Sequence, residues 1–433
     1  MPVAIGLAAF GLMLVLLALR LPAALAIAAV ALPALLLADW LAPADATGAF
    51  LGGLRDLAAD PDLLLLPLVV ALGNLAFYSG IATRLYDAAL VWLRPLPGGM
   101  AVASVIGCGG FSAISGSSLA CASTMGRICI PEMLRAGYDP RLATASVAVG
   151  GTLGALIPPS VLFILFGLLS ATPVAQLFMA GLLPGLLSLA GMILVILWWT
   201  ATEPAAAPRG QAAGASRGQA LLAAWPALLL FAVILGGIQS GRLGALAAVS
   251  LAIALTLAVG LASRRLPPET LLQALRETLR QSAALAVILL AAKLLFALVA
   301  LTGLAEALTQ WVDRAGLSFV AVMLAVVVLH IALGMVLDPV AVLVLTLPFT
   351  MPLVDLYGMD PIWFGVVLVK LIEIGLITPP VGLNVFVVSN VARGAGVQPI
   401  FAGVSRFLFV DLLVLAALVL FPALSLILPA AMG

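Results

Sequence analysis

Charged residues are scarce in this sequence, and their scarcity excludes most classes of soluble protein. Only 9% of the 433 residues are Asp, Glu, Lys or Arg, and 64% are hydrophobic. The mean hydropathy is +1.29, whereas a soluble globular domain carries about 25% charged residues. The formal net charge of +1 leaves no basic excess for binding nucleic acid. The composition therefore predicts a polytopic protein of the lipid bilayer with no nucleic-acid partner.

Metal-binding and catalytic residues are also rare. The chain has one histidine, His330, and three cysteines, at 108, 121 and 129, without the spacing of a zinc site. We interpret the cysteines as small packing residues. The sequence lacks the HExxH and GxSxG motifs that a metalloprotease or a serine hydrolase needs. We expect neither an enzyme nor a resident cofactor.

Two apolar stretches are each interrupted by a double proline. The first, Gly151–Gly167, contains Pro158 and Pro159, and the second, Glu373–Asn390, contains Pro379 and Pro380. Adjacent prolines remove two backbone donors and end a helix. In a bilayer, a broken helix is tolerated only where it is buried in protein or faces a watery cavity. A pair of such interruptions is the best sequence indication of a transporter's binding site.

Two further segments predict helical hairpins that enter the membrane and turn back. Residues 98–126 are crowded with Gly and Ser, with a tip at Ser115–Ser118. Residues 317–352 are too long for one span and turn near Asp338-Pro339. Between the hairpins and spans we expect interfacial helices at 84–94 and 267–281 and a loop at 130–140.

The second half of the chain repeats the first. An offset of 221 carries Pro131, Pro140, Pro158 and Pro159 onto Pro352, Pro361, Pro379 and Pro380. Such a coincidence indicates an internal repeat. The predicted fold is an all-α polytopic membrane protein made of two inverted repeats, each with five transmembrane helices and one re-entrant helical hairpin. We predict the repeats at 1–201 and 220–433, a cytoplasmic linker at 202–219, and broken helices at 141–169 and 361–391.

The distribution of Lys and Arg predicts the orientation in the membrane. Five spans per repeat is an odd number, so the second repeat is inverted relative to the first. With the N-terminus outside, the inner loops hold fourteen arginines and the outer loops three, which fits the positive-inside rule. We therefore expect both termini in the periplasm. No basic region precedes the first apolar run, because Arg20 follows it, so that run predicts a spanning helix and not a cleaved signal peptide.

Five motifs together resemble the large membrane subunit of TRAP transporters, the DctM type: ISGSSLA (114–120), IPEMLRAGYDP (130–140), LGALIPPSVLFILFG (153–167), LFMAGLLPGLL (177–187) and GLITPPVGLNVFV (375–387). The resemblance covers essentially the whole chain. It implies an elevator-type carrier of the bacterial inner membrane, driven by a sodium gradient. It also implies a small organic acid as substrate and two partners: a small four-helix membrane subunit on a separate chain, and a periplasmic substrate-binding protein.

Sodium prefers oxygen ligands, which hairpin tips and helix breaks can supply. We predict one sodium site between the first tip and the first break, and a second between the Asp338 tip and the second break. The predicted sodium ligands are Ser115, Gly116, Ser117, Ser118, Gly154, Ile157, Pro158, Asp338, Gly375, Thr378, Pro379 and Gly382.

The substrate is expected in the cavity between the two tips, because helix N-termini favour anions. The residues predicted to contact it are Ser117, Ser118, Pro159, Ser160, Pro380 and Asn384.

Several of these residues have a structural alternative. Ser112, Ser117 and Ser118 are of a type that often serves helix packing. Lys370 and Glu373 could form an ion pair with each other, three residues apart on one helix, or could couple transport. Lys293 could snorkel or pair with a carboxylate. His330 is interpreted as a polar packing residue and Asn74 as an interhelical hydrogen-bond group.

Three other functions compete with a TRAP subunit. The nearest is a stand-alone sodium–dicarboxylate or citrate-type symporter of the same superfamily, working without a binding protein. A passive channel and a membrane-embedded enzyme are the others, and the missing catalytic motifs argue against the enzyme.

Overall fold

The chain folds entirely into helices where it is described. The computed structural model describes residues 2–41, 46–208, 216–392 and 396–432, and every regular element among them is a helix. Residues 209–215, which form the centre of the predicted linker, lie outside the described residues, as do the predicted inner-loop arginines Arg209 and Arg393.

The first half contains eleven α-helices. In order they are α1 (Pro2–Ala18), α2 (Ala23–Leu41), α3 (Ala46–Ala59), α4 (Leu65–Tyr78), α5 (Ile81–Leu93), α6 (Gly99–Ser115), α7 (Ser118–Arg135), α8 (Pro140–Gly151), α9 (Leu153–Leu156), α10 (Val161–Ser170) and α11 (Val174–Thr202). Short 3₁₀ helices occupy Pro61–Leu64 and Pro204–Ala206.

The second half contains twelve. They are α12 (Arg217–Ala223), α13 (Trp225–Phe231), α14 (Gly237–Gln239), α15 (Ala245–Ala262), α16 (Pro268–Thr302), α17 (Leu304–Arg314), α18 (Phe319–Gly334), α19 (Pro339–Leu356), α20 (Pro361–Ile377), α21 (Leu383–Val391), α22 (Val397–Leu420) and α23 (Ala423–Ala430). A π-helical turn, Ala232–Gly236, joins α13 to α14.

The membrane character expected from composition agrees with the helix lengths. Among the described residues, seven helices are long and apolar enough to cross a membrane, and an eighth is obtained if the bent pair 217–223 and 225–239 is one span. Helices α1 and α2 and the first helix of each hairpin are shorter apolar helices. The chain is therefore a polytopic membrane protein.

Both double prolines interrupt their helices. Helices α8 and α9 are separated from α10 by Ile157–Ser160, and α20 is separated from α21 by Thr378–Gly382. The Pro158-Pro159 and Pro379-Pro380 peptide bonds are cis. Since proline has no amide hydrogen, Pro158 and Pro159 cannot donate to the carbonyls of Gly154 and Ala155 four residues earlier. Backbone oxygens are thereby released inside a mostly apolar region.

Each predicted hairpin is two helices joined by a tight turn. Helices α6 and α7 are joined by Gly116 and Ser117, and Gly116 has a left-handed φ of 63° that glycine adopts without strain. Helices α18 and α19 are joined by residues 335–338, and Asp338 caps α19 by accepting a hydrogen bond from the Ala341 amide at 3.0 Å.

The elements differ from the sequence predictions in four places. The predicted loop at 130–140 is helical as far as Arg135, with Pro131 inside α7. The predicted interfacial helix at 267–281 is continuous with the following span, in the 35-residue helix α16, because no glycine or proline interrupts the sequence between them. Helices α3 and α17 were not predicted.

The helices pack in two groups. In one, α8 lies at the centre, against α6, α7 and α22, and the most apolar window of Pro140–Ser170 is entirely buried. In the other, α16 packs against α2 and α4, and α4 also contacts α15. The Asn74 amide donates a hydrogen bond to the Thr278 hydroxyl at 3.0 Å, which confirms the predicted interhelical bond and joins α4 to α16.

A cluster of charged and aromatic side chains connects the end of α11 to α22. Arg406 on α22 contacts the carboxylate of Glu203 at 2.6 Å, and its guanidinium lies 4.1 Å from the ring centre of Trp199. A hydrogen bond from Arg406, and to a smaller extent one from Trp199, holds the pKa of Glu203 below its usual value.

The predicted structural role of His330 is supported by its contacts. Its Nδ1 lies 2.7 Å from the Val326 carbonyl oxygen and its Nε2 2.9 Å from the Thr346 hydroxyl, so both ring nitrogens are used within the second hairpin. Lys293 is partly buried and forms no ion pair within the described ranges. The three cysteines are free and buried.

The suggested Lys370–Glu373 ion pair is wrong. The Lys370 Nζ lies 2.5 Å from the Asp411 carboxylate and donates to the Ser188 hydroxyl at 3.1 Å. Lys370 and Asp411 side chains are 1% and 3% exposed. Side chains three residues apart on a helix are neighbours, but Asp411 of α22 and Ser188 of α11 lie closer to the Lys370 ammonium group. Lys370 thereby connects α20 to α22 and α11.

We expect the substitution Lys370→Met to lower the free energy of unfolding by about 3–5 kcal/mol, because it leaves the Asp411 carboxylate buried without a partner. The double variant Lys370→Met/Asp411→Leu removes both charges and should recover most of the loss. Unfolding of the purified protein in mixed micelles measures both. Equal stability of the single and double variants would contradict this account of the pair.

Candidate functional site

The first hairpin tip lies directly against the first helix break. The Val161 amide donates a hydrogen bond to the Gly116 carbonyl at 3.1 Å. A Cβ atom on Gly154 would lie 2.7 Å from the Ser117 carbonyl carbon and 2.8 Å from the Ser118 nitrogen. Only glycine allows this approach. The structure thus places the backbone of the first tip, which holds predicted sodium ligands, directly beside the predicted ligand Gly154.

The hydroxyl groups at this contact differ in their bonding. The Ser117 hydroxyl caps α7 and accepts from the Ala120 amide, and the Ser160 hydroxyl caps α10 and accepts from the Phe163 amide. The Ser115 hydroxyl is buried and has no hydrogen-bond partner in the described part of the chain. A buried hydroxyl without a partner is costly, which makes it available to a ligand.

The second hairpin also contacts the second break through backbone atoms. The Gly382 amide donates to the Met335 carbonyl at 3.2 Å, and a Cβ atom on Gly375 would lie 2.6 Å from the Gly334 Cα. Asp338 lies further along the turn and is half-buried. The Thr378 hydroxyl donates to the Ile374 carbonyl of its own helix at 2.6 Å.

The two double prolines differ in exposure. Pro158 and Pro159 are buried, whereas Pro379 and Pro380 are exposed. The first break is therefore enclosed by protein, and the second faces outward from the described part of the chain.

Both tips line one cavity of about 680 Å³. Ser115–Ser118 line it from the first hairpin and Asp338–Val340 from the second. Its other walls are largely apolar, with Phe77, Phe111 and Leu285 among the lining residues. Three helices also contribute polar side chains: Asn74 and Tyr78 of α4, Gln273, Glu277 and Gln281 of α16, and Ser123, Thr124 and Arg127 of α7. The Tyr78 hydroxyl donates to the Glu277 carboxylate at 2.7 Å across this wall.

Several predicted residues do not line this cavity. Of the predicted substrate contacts, Ser117 and Ser118 line it and the others do not: Pro159, Ser160, Pro380 and Asn384. Asn384 is fully buried, and its side-chain amide donates to the Ala148 carbonyl at 3.2 Å. The sodium and substrate roles of all these residues stay predictions.

One residue at the site was assigned the wrong partner by sequence reasoning. Glu373 of α20 accepts a hydrogen bond from the Ser118 hydroxyl at 2.6 Å. The sequence did indicate that Glu373 matters, because burying a carboxylate within an apolar membrane helix costs free energy and such residues are commonly functional. Its partner lies 255 residues away, a separation that no local spacing rule reaches.

A helical membrane fold in which two hairpin tips and two broken helices recur around one cavity is typical of membrane transport proteins. Residues 10–424 match the profile of the family described as "Tripartite ATP-independent periplasmic transporter, DctM component". The chain therefore belongs to the DctM family. Its relatives are transporter permeases and not enzymes.

Two curated relatives and one solved structure illustrate the similarity. The C4-dicarboxylate TRAP transporter large permease protein DctM of Pseudomonas aeruginosa is 34% identical, covering 86% of this chain and 87% of the relative. The isethionate TRAP transporter permease protein DctMQ of Oleidesulfovibrio alaskensis is 30% identical, covering 76% of this chain and 52% of the relative. The crystal structure of the Alcanivorax borkumensis YdaH transporter has a TM-score of 0.59 at 16% identity, covering 89% of this chain and 87% of the YdaH chain. At this identity the similarity concerns the fold alone.

We expect Gly154→Ala to displace the first tip, because the added methyl group meets Ser117 and Ser118 backbone atoms that cannot rotate away. Overpacking of this kind costs about 1–3 kcal/mol of folding free energy and should abolish most uptake. Gly11→Ala is the matched control, since nothing lies within 4 Å of a Cβ there. Unfolding and uptake are measured for both, and a fully active Gly154→Ala protein would contradict the tight contact.

Proposed function

We propose that this chain is the large membrane subunit of a sodium-coupled TRAP transporter that imports a small organic acid by elevator-type alternating access. The observation that carries the proposal is a cavity of about 680 Å³ lined by both hairpin tips. A site at the tips of two hairpins that are each followed by a broken helix is the arrangement expected of a carrier with repeated halves.

Sodium coupling is supported by the oxygen atoms at the first tip. The prolines release the Gly154 and Ala155 carbonyls, and the buried Ser115 hydroxyl has no partner among the described residues. Neutral oxygens suit a hard monovalent cation. At the second tip, the Asp338 carboxylate lines the cavity and uses one oxygen to cap α19, which leaves the other for a cation.

An anionic substrate is supported by the helix ends and by the relatives. Helices α7 and α19 begin at the cavity, so the positive ends of both helix dipoles face it. The exposed Arg127 lines the same cavity. The relatives named above are a C4-dicarboxylate and an isethionate transporter, whose substrates are small organic anions. Serines 117 and 118, which line the cavity, are the proposed side-chain contacts.

Two partners follow from family membership. The family is described as one component of a tripartite periplasmic transporter. The DctMQ relative combines two components in its name, and the match covers 52% of it. We propose that a separate small four-helix membrane subunit and a periplasmic substrate-binding protein complete this transporter, with the large subunit carrying the substrate path.

The orientation and the movement are also proposals. The arginine distribution supports a bacterial inner-membrane protein with both termini in the periplasm, which puts Arg127 on the cytoplasmic side and makes the cavity inward-facing. Hairpins and broken helices would move as the transport domain of two inverted repeats. Helices α4 and α16, on the opposite wall of the cavity, would belong to the static scaffold.

Reconstitution tests the sodium-coupled tripartite function directly. In proteoliposomes that contain both membrane subunits, uptake of a C4-dicarboxylate should require an external binding protein and an inward sodium gradient, and potassium should not replace sodium. Robust uptake by the large subunit alone would favour the stand-alone symporter. Undiminished uptake after collapse of the sodium gradient would favour a channel.

We expect Asp338→Asn to raise the sodium concentration for half-maximal uptake at least tenfold, equivalent to about 1.4 kcal/mol, because it removes the carboxylate charge. Asparagine caps helices as well as aspartate, so α19 should keep its start. Asp355→Asn, at the exposed far end of the same helix, is the control. Wild-type sodium dependence in Asp338→Asn would remove Asp338 from the site.

A further inference from the structure

Glu373 is a fully buried carboxylate that contacts the first hairpin tip from the opposite half of the chain. Its relative exposure is 0%, and its Oε1 accepts the Ser118 hydroxyl hydrogen at 2.6 Å. Its Oε2 is buried without a hydrogen-bond partner among the described residues. A carboxylate so placed is expensive unless a positive charge lies beside it.

The nearest cationic side chain is already occupied. Lys370, one turn earlier on α20, is paired with Asp411 at 2.5 Å and bonded to Ser188. Within the described ranges, Glu373 forms no salt bridge. The N-terminus of α7, where Ser118 is the first residue, contributes only about half an elementary charge. The described residues therefore leave a negative charge at Glu373 largely uncompensated.

Other oxygen atoms lie around the same serine. A Cβ atom on Gly151 would lie 3.2 Å from both the Ser118 carbonyl oxygen and the Asn384 amide nitrogen, so Asn384 reaches the neighbourhood of Ser118. The Asn384 carbonyl oxygen is buried and also unpartnered in the structure as described. Two unpartnered side-chain oxygens, on Glu373 and Asn384, thus come from the second half of the chain to the first tip.

We infer that Glu373 supplies the counter-charge of the sodium ion bound at the first tip, and that Asn384 adds a neutral oxygen to the same site. Holding the Ser118 hydrogen through Oε1 leaves the lone pairs of the serine hydroxyl for the ion, and Oε2 provides the charge. The inference rests on the proposed sodium coupling and deepens it. The first sodium site would then include residues of both halves, so that the ion holds α20 against the first hairpin.

The test is sodium binding by the purified protein in lipid nanodiscs, followed as the sodium-dependent rise of the unfolding temperature with choline as the replacement ion. Glu373→Gln keeps the size and the hydrogen bond from Ser118 but removes the charge. We expect the half-saturating sodium concentration to rise between about tenfold and 10³-fold, the upper limit being the Coulomb energy of a close pair at an effective dielectric constant of about 20.

A second readout separates a charge role from a packing role. If Glu373 is an uncompensated charge, Glu373→Gln should unfold at the same or a higher temperature than the wild type when sodium is absent. A packing residue would instead lose stability in both conditions. Glu373→Asp keeps the charge and should bind sodium more tightly than Glu373→Gln. Glu306→Gln, an exposed carboxylate of α17, is the control and should match the wild type.

The outcomes distinguish this inference from the function on which it rests. Saturable sodium stabilisation in the wild type, with an unchanged half-saturating concentration in Glu373→Gln, would overturn the role of Glu373 and leave sodium coupling intact. No sodium stabilisation of the wild type at any concentration would overturn both. A Glu373→Gln protein that is destabilised without sodium would also overturn the counter-charge role.

Discussion

The structure depends on how two broken helices satisfy their backbone groups inside an apolar protein. A double proline removes two donors from each helix, and the carbonyls that they release need partners or ligands. At the first break, the hairpin tip satisfies one of the backbone groups, because the Val161 amide donates a hydrogen bond to the Gly116 carbonyl. Gly154 permits the close approach that this requires. The hairpin and the broken helix are therefore one unit, and the cavity forms where such units meet.

Two ion pairs join residues that lie far apart in the sequence. Lys370 and Asp411 neutralise each other between α20 and α22, and Arg406 and Glu203 do so at the edge of the same group. A buried pair adds little net stability, but breaking one is costly, so these pairs fix which helices are neighbours. Within the described ranges, the fully buried carboxylate of Glu373 takes part in neither pair.

The two breaks have similar sequences but different surroundings. Pro158 and Pro159 are enclosed, while Pro379 and Pro380 are exposed, although the element order around them is the same. The difference arises from packing, because α8 is surrounded by α6, α7 and α22.

The sequence by itself determined the membrane class, the family, the two helix breaks and both hairpin turns. Each depends on local composition or on residues a few positions apart: apolar runs, double prolines, and Gly, Ser or Asp at the tips. Only the tertiary structure decided which side chains meet. Lys370 bonds Asp411 and Ser188 instead of Glu373, and Glu373 bonds Ser118 across 255 residues. Such partners are chosen by the packing of distant helices, which helical spacing within one segment does not encode.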